Sequence, residues 1–484
     1  MTVTRRQALR LLGLGAAAVA AAPGCSLLSR TPQPQLLTSG APLPQPFAVP
    51  LPVPAPAKPS SPGHYDLVEQ AAEVEILPGL RTPIWGYGGQ FPGPTIEARS
   101  GETTVVRLSN GLTQPTVLHL HGGHTPPESD GYPTDLVQPG ARRDYTFPLR
   151  QRAATLWYHD HRMDYTGPQV WRGLAGFFLV RDPAEEALGL PAGDRDLPLM
   201  ICDRSFAEDG SMPYPGLPGK PGVREAYMGG VLGDVILVNG APWPQLRVAR
   251  ARYRLRLLNA SNARTYELAL SSGGPMVRIA SDGGLLAAPR AAKQVRLAPA
   301  ERADVVVDFG AYRIGDQIEL RNLDGQGPQS KVMRFVVDRD EADESTIPQV
   351  LSNVDRLDPS KAAVTRDFDF NSGTMHGGGA WLINGKPFDP ERIEARPKLG
   401  DIEIWRLTSD VAHPVHLHLA QFQVLSVNGE RPAGPPEWKD TIELRDAQTV
   451  EIITRFTGYR GRYVFHCHNL EHEDMAMMAT FEVV

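Results

Sequence analysis

The chain has 484 residues, 49 Lys+Arg against 55 Asp+Glu for a formal charge of −6, and 41% hydrophobic against 21% charged residues. The mild acidity excludes a general nucleic-acid binder, which needs a basic footprint. The apolar content excludes a disordered chain, and three cysteines exclude a disulfide scaffold. The 47 glycines and 45 prolines suit short strands and turns better than long helices.

In chain order, Thr4-Arg5-Arg6-Gln7-Ala8-Leu9 and the Ala/Leu-rich run to Ala22 have the layout of an export signal. The paired arginines resemble the twin-arginine type, whose route carries folded proteins. Residues 1–30 are therefore expected to be a signal, with the body in the periplasm or outside the cell. Cys25 follows Ala22-Pro23-Gly24, which leaves two fates: a lipid anchor, or loss with the signal. Residues 31–62 hold eleven prolines. Such a stretch should not pair into a sheet, and reads as a semi-rigid tether or as an arm laid across the body. No stretch after residue 22 approaches the ~18 apolar residues of a membrane helix.

From residue 63 the pattern is short alternating strands broken by Gly, Pro, Asn and Asp. Runs such as Thr103–Leu108, Thr116–His121 and Leu156–His161 form a first series. Val235–Val238, Tyr253–Leu258 and Asp304–Phe309 belong to a second; Ile402–Leu407, Pro414–Val427 and Arg462–His466 to a third. The reading is all-β, with three β-sandwich or barrel domains at 63–183, 196–340 and 362–484. Asp182–Asp196 and the charged stretch Asp338–Thr365 are the expected joints, with Asp340-Glu341-Ala342-Asp343-Glu344 read as a solvated linker.

Four His-x-His pairs stand out: His119/His121, His159/His161, His416/His418 and His466/His468. Residues two apart on a strand share a face, so each pair presents two imidazoles side by side. With His413 and His472 they use ten of the thirteen histidines. One pair could be chance; four imply metal, and imidazole suits copper, zinc, iron and nickel. Eight imidazoles would hold about three ions at two or three ligands each. Two pairs lie in the first domain and two in the third, so the cluster should sit where those domains meet.

Cys467, between His466 and His468, should face the opposite side of its strand. There it can meet His413, His472 and Met477. Two histidines, a thiolate and a weak axial methionine make a blue-copper electron-transfer site. The covalent neighbours of Cys467 would bind the cluster, wiring one-electron oxidation to multi-electron reduction. One blue copper and three cluster coppers match the four electrons that turn dioxygen into water.

His119-Leu120-His121-Gly122, Trp157-Tyr158-His159-Asp160-His161, His413-Pro414-Val415-His416-Leu417-His418 and the His466–Met477 segment resemble the four copper motifs of multicopper oxidases. Gly122–Gly131, Leu258–Tyr266, Ser281–Leu286 and Leu297–Arg302 resemble the bacterial spore-coat laccase and bilirubin-oxidase-like branch. The resemblance covers roughly residues 41–484 and implies three cupredoxin-like (Greek-key) domains. It implies four copper ions: type 1 on His413, Cys467, His472 and Met477; type 2 on His119 and His416; and a type 3 pair on His121, His159, His161, His418, His466 and His468. It also implies a proton-handling carboxylate at Asp130 and an acid at the oxygen exit side at Glu473, with Glu471 the less favoured donor.

The expected function is a laccase-like oxidase. A phenol, aromatic amine or tetrapyrrole gives single electrons at the edge of His472, Cys467 relays them, and dioxygen becomes water. The partners are a small reducing substrate and dioxygen, without nucleic acid, and the expected state is a monomer. A cuprous or other metal-ion oxidase is the alternative, but Met375 stands alone rather than in a methionine-rich insert. A non-enzymatic envelope scaffold is a third reading, opposed by the intact ligand set. His64, His124 and His376 match no motif, and Cys202 reads as a buried strand cysteine.

Overall fold

The computed structural model describes residues 32–375 and 378–484. The export signal, Cys25 and His376 lie outside the described residues. No helix among the described residues is long and apolar enough to cross a membrane. The fold is all-β and cupredoxin-like, and one arrangement recurs three times. In each copy an early strand runs parallel to a neighbour in its sheet: His64–Val74 to Thr104–Asn110, Asp196–Arg204 to Arg252–Asn259, and Ala362–Met375 to Ile402–Ser409. In the facing sheet, a second early strand runs parallel to the last: Gly93–Arg99 to Ala175–Arg181, Gln245–Ala249 to Lys331–Arg339, and Ile393–Ala395 to Met478–Val483. Each copy therefore packs one sheet on another, with the core between them.

Burial along the strands tells outer sheets from inner ones. Thr104–Asn110 buries every second residue, as a strand with one wet face must. Leu118–His121, Ala154–Asp160 and His413–Leu417 are buried at every position. Their second faces are covered because the first and third sheet pairs pack together there. The His-x-His motifs sit on these doubly buried strands.

Three expectations need correction. The proline-rich arm does pair: Gln35–Leu37, a proline-free stretch that keeps its N–H donors, runs parallel to Val231–Gly233. Isolated bridges join Pro50 to Gln245 and Pro56 to Thr95. Phe47 and Leu51 are buried in the core of the middle sheet pair, so residues 32–62 are an arm across the body. The run Pro414–Val427 is two strands, His413–Leu417 and Phe422–Val427, split where Leu419 takes a positive φ of 64°. The segment 340–344 is not merely solvated. The strand Ala362–Met375 already occupies the far end of the expected joint, and Asp343 accepts hydrogen bonds from the backbone N–H of Arg252 and of Ser345 and pairs with Arg195 at 3.1 Å.

Candidate metal centres

The strands Leu118–His121 and Ala154–Asp160 run antiparallel with His119 opposite His159. Period two then sets His121 beside His119, and His161 lies just past the end of its strand. In the third sheet pair His416 lies opposite His466, and Val415 opposite Cys467. The alternation expected around Cys467 is therefore present: His466 faces the cluster and Cys467 faces away. Rings from the two sheet pairs stack on one another, His121 on His416 at 3.6 Å between centroids and His119 on His418 at 3.9 Å.

Each of six cluster imidazoles directs one ring nitrogen at an acceptor in its own surroundings. Nδ1 of His119, His159 and His416 meets the carbonyls of Asp130, Asp160 and Asp440 at 2.6, 2.7 and 2.8 Å. Nδ1 of His418 meets the Asp130 carboxylate at 2.7 Å, and Nδ1 of His466 meets the Cys467 carbonyl at 3.1 Å. His121 is turned the other way round, with Nε2 on the Asp440 carboxylate at 3.2 Å and the Thr441 hydroxyl at 3.1 Å. The opposite nitrogens of His119, His121, His159 and His416 are buried without partners, as are both nitrogens of His468. Nε2 of His466 faces Nε2 of His161 at 3.1 Å and Nε2 of His418 at 3.3 Å. Such a concentration of idle donors is costly in a dry interior unless a cation collects them. An imidazole anchored at one nitrogen and open at the other is the usual posture of a metal ligand.

Cys467 Sγ lies 3.5 Å from His413 Nδ1 and 3.6 Å from His472 Nδ1, and those two nitrogens are 3.0 Å apart. The short helix Leu470–Asp474 brings His472 back onto the cysteine. Two backbone bonds then place Met477 beside both: Cys467 N–H to the Met477 carbonyl at 3.1 Å, and Met477 N–H to the His472 carbonyl at 3.0 Å. Met477 is fully buried.

Burial dominates the electrostatics. It holds His119, His121, His416, His418, His468 and His472 well below their usual pKa, with His159 at about 3 and His161 at about 4. The rings are therefore neutral and ready to donate lone pairs. Burial also pushes the Cys467 thiol up, so its thiolate needs a cation beside it. Asp130, which also accepts from the Thr125 hydroxyl at 3.0 Å, is raised to about 8 by burial. Glu473 goes the other way. Burial opposes its charge, but His466 and His161 beside it hold the carboxyl below the usual range. Its oxygens lie 3.1 Å from His466 Nδ1 and 3.7 Å from His161 Nδ1.

All twelve expected ligands thus gather at two places, and Asp130 and Glu473 both touch cluster rings. Glu471 does not: its carboxylate takes hydrogen bonds from Tyr214, Asn262 and the Val231 N–H. His64 is exposed, and His124 bonds the Thr457 carbonyl at 3.0 Å away from the cluster. Cys202 is buried, unbridged, and raised to about 11 by that burial.

Several contributors escaped the sequence reading. Asp440 braces His121 and is itself clamped by both terminal nitrogens of the buried Arg302. Asp410 accepts from His413 Nε2 at 3.1 Å, a contact that its position three residues earlier could have suggested. Trp381 lies on the His472 ring with 3.8 Å between centroids. No local pattern marks Asp440 or Trp381, because their partners are distant in sequence.

Three cupredoxin-like sheet pairs with imidazole clusters at the meeting of the first and third define a copper oxidoreductase of the β class. Family models described as multicopper oxidase match residues 69–185 and 356–484. The chain is 39% identical to the laccase of Bacillus subtilis (strain 168), over 83% of this chain and 90% of that protein. It is 35% identical to the bilirubin oxidase of Albifimbria verrucaria, over 93% of this chain and 82% of that protein. The crystal structure of the laccase from Pediococcus acidilactici Pa5930 superimposes with a TM-score of 0.83 at 33% identity, covering 93% of this chain and 96% of that one. The chain belongs to the multicopper oxidase family, and copper is its cofactor.

Proposed function

We propose that this laccase-like oxidase holds four copper ions: type 1 on His413, Cys467, His472 and Met477; type 2 on His119 and His416; and a type 3 pair on His121, His159, His161, His418, His466 and His468. The observation that carries the assignment is the convergence of unpartnered imidazole nitrogens on the cluster, back to back with a buried cysteine between two more imidazoles. When bound, copper supplies one-electron oxidation at the first site and four-electron reduction of dioxygen at the second. The protein supplies the rest. His472 is only 2% exposed, with Trp381 stacked on its ring face and the Gly229 carbonyl at its edge. A phenol, aromatic amine or tetrapyrrole therefore gives up its electron across this thin cover rather than by direct ligation. Cys467 shares a backbone with His466 and His468, which makes the route inward short and bonded. Asp130 holds a proton at neutral pH beside His418, where oxygen reduction consumes protons. Glu473 orients His161 and His466 from the opposite side.

One chain contains every proposed ligand, so a monomer is sufficient. The Arg5-Arg6 signal supports export by a twin-arginine-type route to the periplasm or exterior, with Cys25 either lipidated or removed. Oxygen uptake by copper-loaded enzyme tests the function. A phenol should drive it with four electrons per dioxygen, and hydrogen peroxide should not accumulate. Faster turnover with cuprous ion than with any phenol would favour the metal-ion oxidase instead.

A further inference from the structure

A cleft of about 870 Å³ runs between the middle and third sheet pairs, and no proposed copper ligand lines it. One wall is the strand Gln294–Leu297 with its neighbours Arg278 and Arg290; the other is the segment 423–448, including the Gly434-Pro435-Pro436 turn. Its charge is one-sided. The deeper Arg302 and Lys439 are matched by Asp440, Asp282 and Glu301. That leaves six arginines, Arg278, Arg290, Arg296, Arg356, Arg431 and Arg445, against the two lining carboxylates Glu437 and Glu443 and, from outside the lining, Glu267 and Asp324 on Arg296. The excess is two positive charges, in a chain whose formal charge is −6.

The two carboxylates are already in use. Glu437 pairs with Arg278 and lies 3.8 Å from Arg290. Glu443 pairs with Arg296 at 2.7 Å and lies 3.4 Å from Arg445. No carboxylate pairs with Arg356 or Arg431 among the described residues, and Nε of Arg290 is buried without a partner. The rim is held in shape: Pro435 offers its carbonyl to Arg290 Nη2 at 2.5 Å, between two prolines of restricted φ.

Guanidinium groups crowded in a half-enclosed cleft repel one another, and low-dielectric walls concentrate their field. Their planar forks match carboxylate and phosphate oxygens two at a time. The volume falls in the range of small-molecule sites. We propose that this cleft binds a multiply charged small oxyanion, a condensed phosphate or a polycarboxylate. The segment that lines it continues through Lys439 into Asp440 and Thr441, which brace His121, so the occupied cleft borders the cluster's outer support.

Calorimetric titration of the copper-loaded enzyme tests this, with inorganic pyrophosphate and tripolyphosphate in one arm and citrate in the other. Saturable binding is expected in at least one arm, together with a rise in melting temperature. Whichever arm binds identifies the source. The triple variant R290Q/R356Q/R431Q should weaken that binding at least ~10-fold, roughly the loss of 1.4 kcal/mol. R247Q, on an exposed arginine outside the cleft, should not. Unchanged visible spectra would show that the variants fold and load copper. The proposal is overturned if neither arm saturates, if the triple variant binds as tightly as the parent, or if sodium chloride at matched ionic strength raises the melting temperature equally.

Discussion

The middle sheet pair and the interface between the first and third both bury many polar groups, but they satisfy them in opposite ways. In the middle pair the buried arginines Arg254 and Arg256 terminate in acceptors. Arg256 reaches Asp196, Asp304, Glu185 and Thr155; Arg254 reaches Asp304 and Glu185. No histidine lies between residues 196 and 340. At the other interface the buried groups are imidazoles; the inner nitrogens of His119, His121, His159 and His416 have no partner, and those of His161, His418 and His466 face only one another. A closed network contributes to holding one arrangement of the fold, whereas an open one is stable only with something in it. The difference separates polar burial that serves structure from polar burial that serves a cofactor.

Substitutions can break this contrast. The largest expected effect is that of Cys467→Ser, which should drop oxygen uptake to background, remove the visible absorption and lower copper from four to three ions per chain on metal analysis. Full colour in that variant would refute the thiolate assignment. Arg256→Met should act on the fold alone. Asp304 keeps Arg254 and Asp196 keeps Arg181, so the loss should be at most about 3 kcal/mol in chemical denaturation, with copper per folded chain unchanged. His468→Leu should do the reverse. With copper it should lose most oxygen uptake; without copper it should be no less stable than the parent, since neither ring nitrogen of His468 has a partner to lose.

A subtler expectation concerns pH. Asp130 is raised from 3.8 to about 8 in the folded, copper-free protein. A carboxyl raised on folding contributes stability that is whole below its unfolded pKa and is lost as pH rises through the folded one. By itself Asp130 makes the copper-free protein less stable between about pH 4 and 8, whereas the eight buried imidazoles, lowered on folding, act in the opposite sense below about pH 6.5. Asp130→Asn should therefore make the slope of copper-free stability with pH more positive, by at most about 1.4 kcal/mol per pH unit. Asp160 and Glu471, each raised to about 7 by burial, act in the same sense as Asp130. A slope unaltered by Asp130→Asn would place the titration elsewhere. The smallest effect tests the arm: Leu51→Ala should cost about 2–3 kcal/mol, which a loose tether would not show.

Much of the site was legible because its determinants are local. A period of two places paired imidazoles on one face and Cys467 on the other, whatever the rest of the chain does. The blue-site ligands His472 and Met477 follow within one short helix and turn. The arm was misread because proline content masked the proline-free Gln35–Leu37, whose partner strand lies almost two hundred residues away. The split at Leu419 was missed because a positive φ on leucine carries no compositional signal.

The order of residues alone thus determined the fold class, the ligand types and the alternation that separates the two metal centres, because strand geometry converts spacing directly into direction. Only the tertiary structure decided that Asp440 and Arg302 brace His121, that Trp381 and Gly229 cover His472, and that unmatched arginines line one cleft. Those groups meet across sheets and between sheet pairs. Their proximity is set by packing, which no short-range pattern encodes.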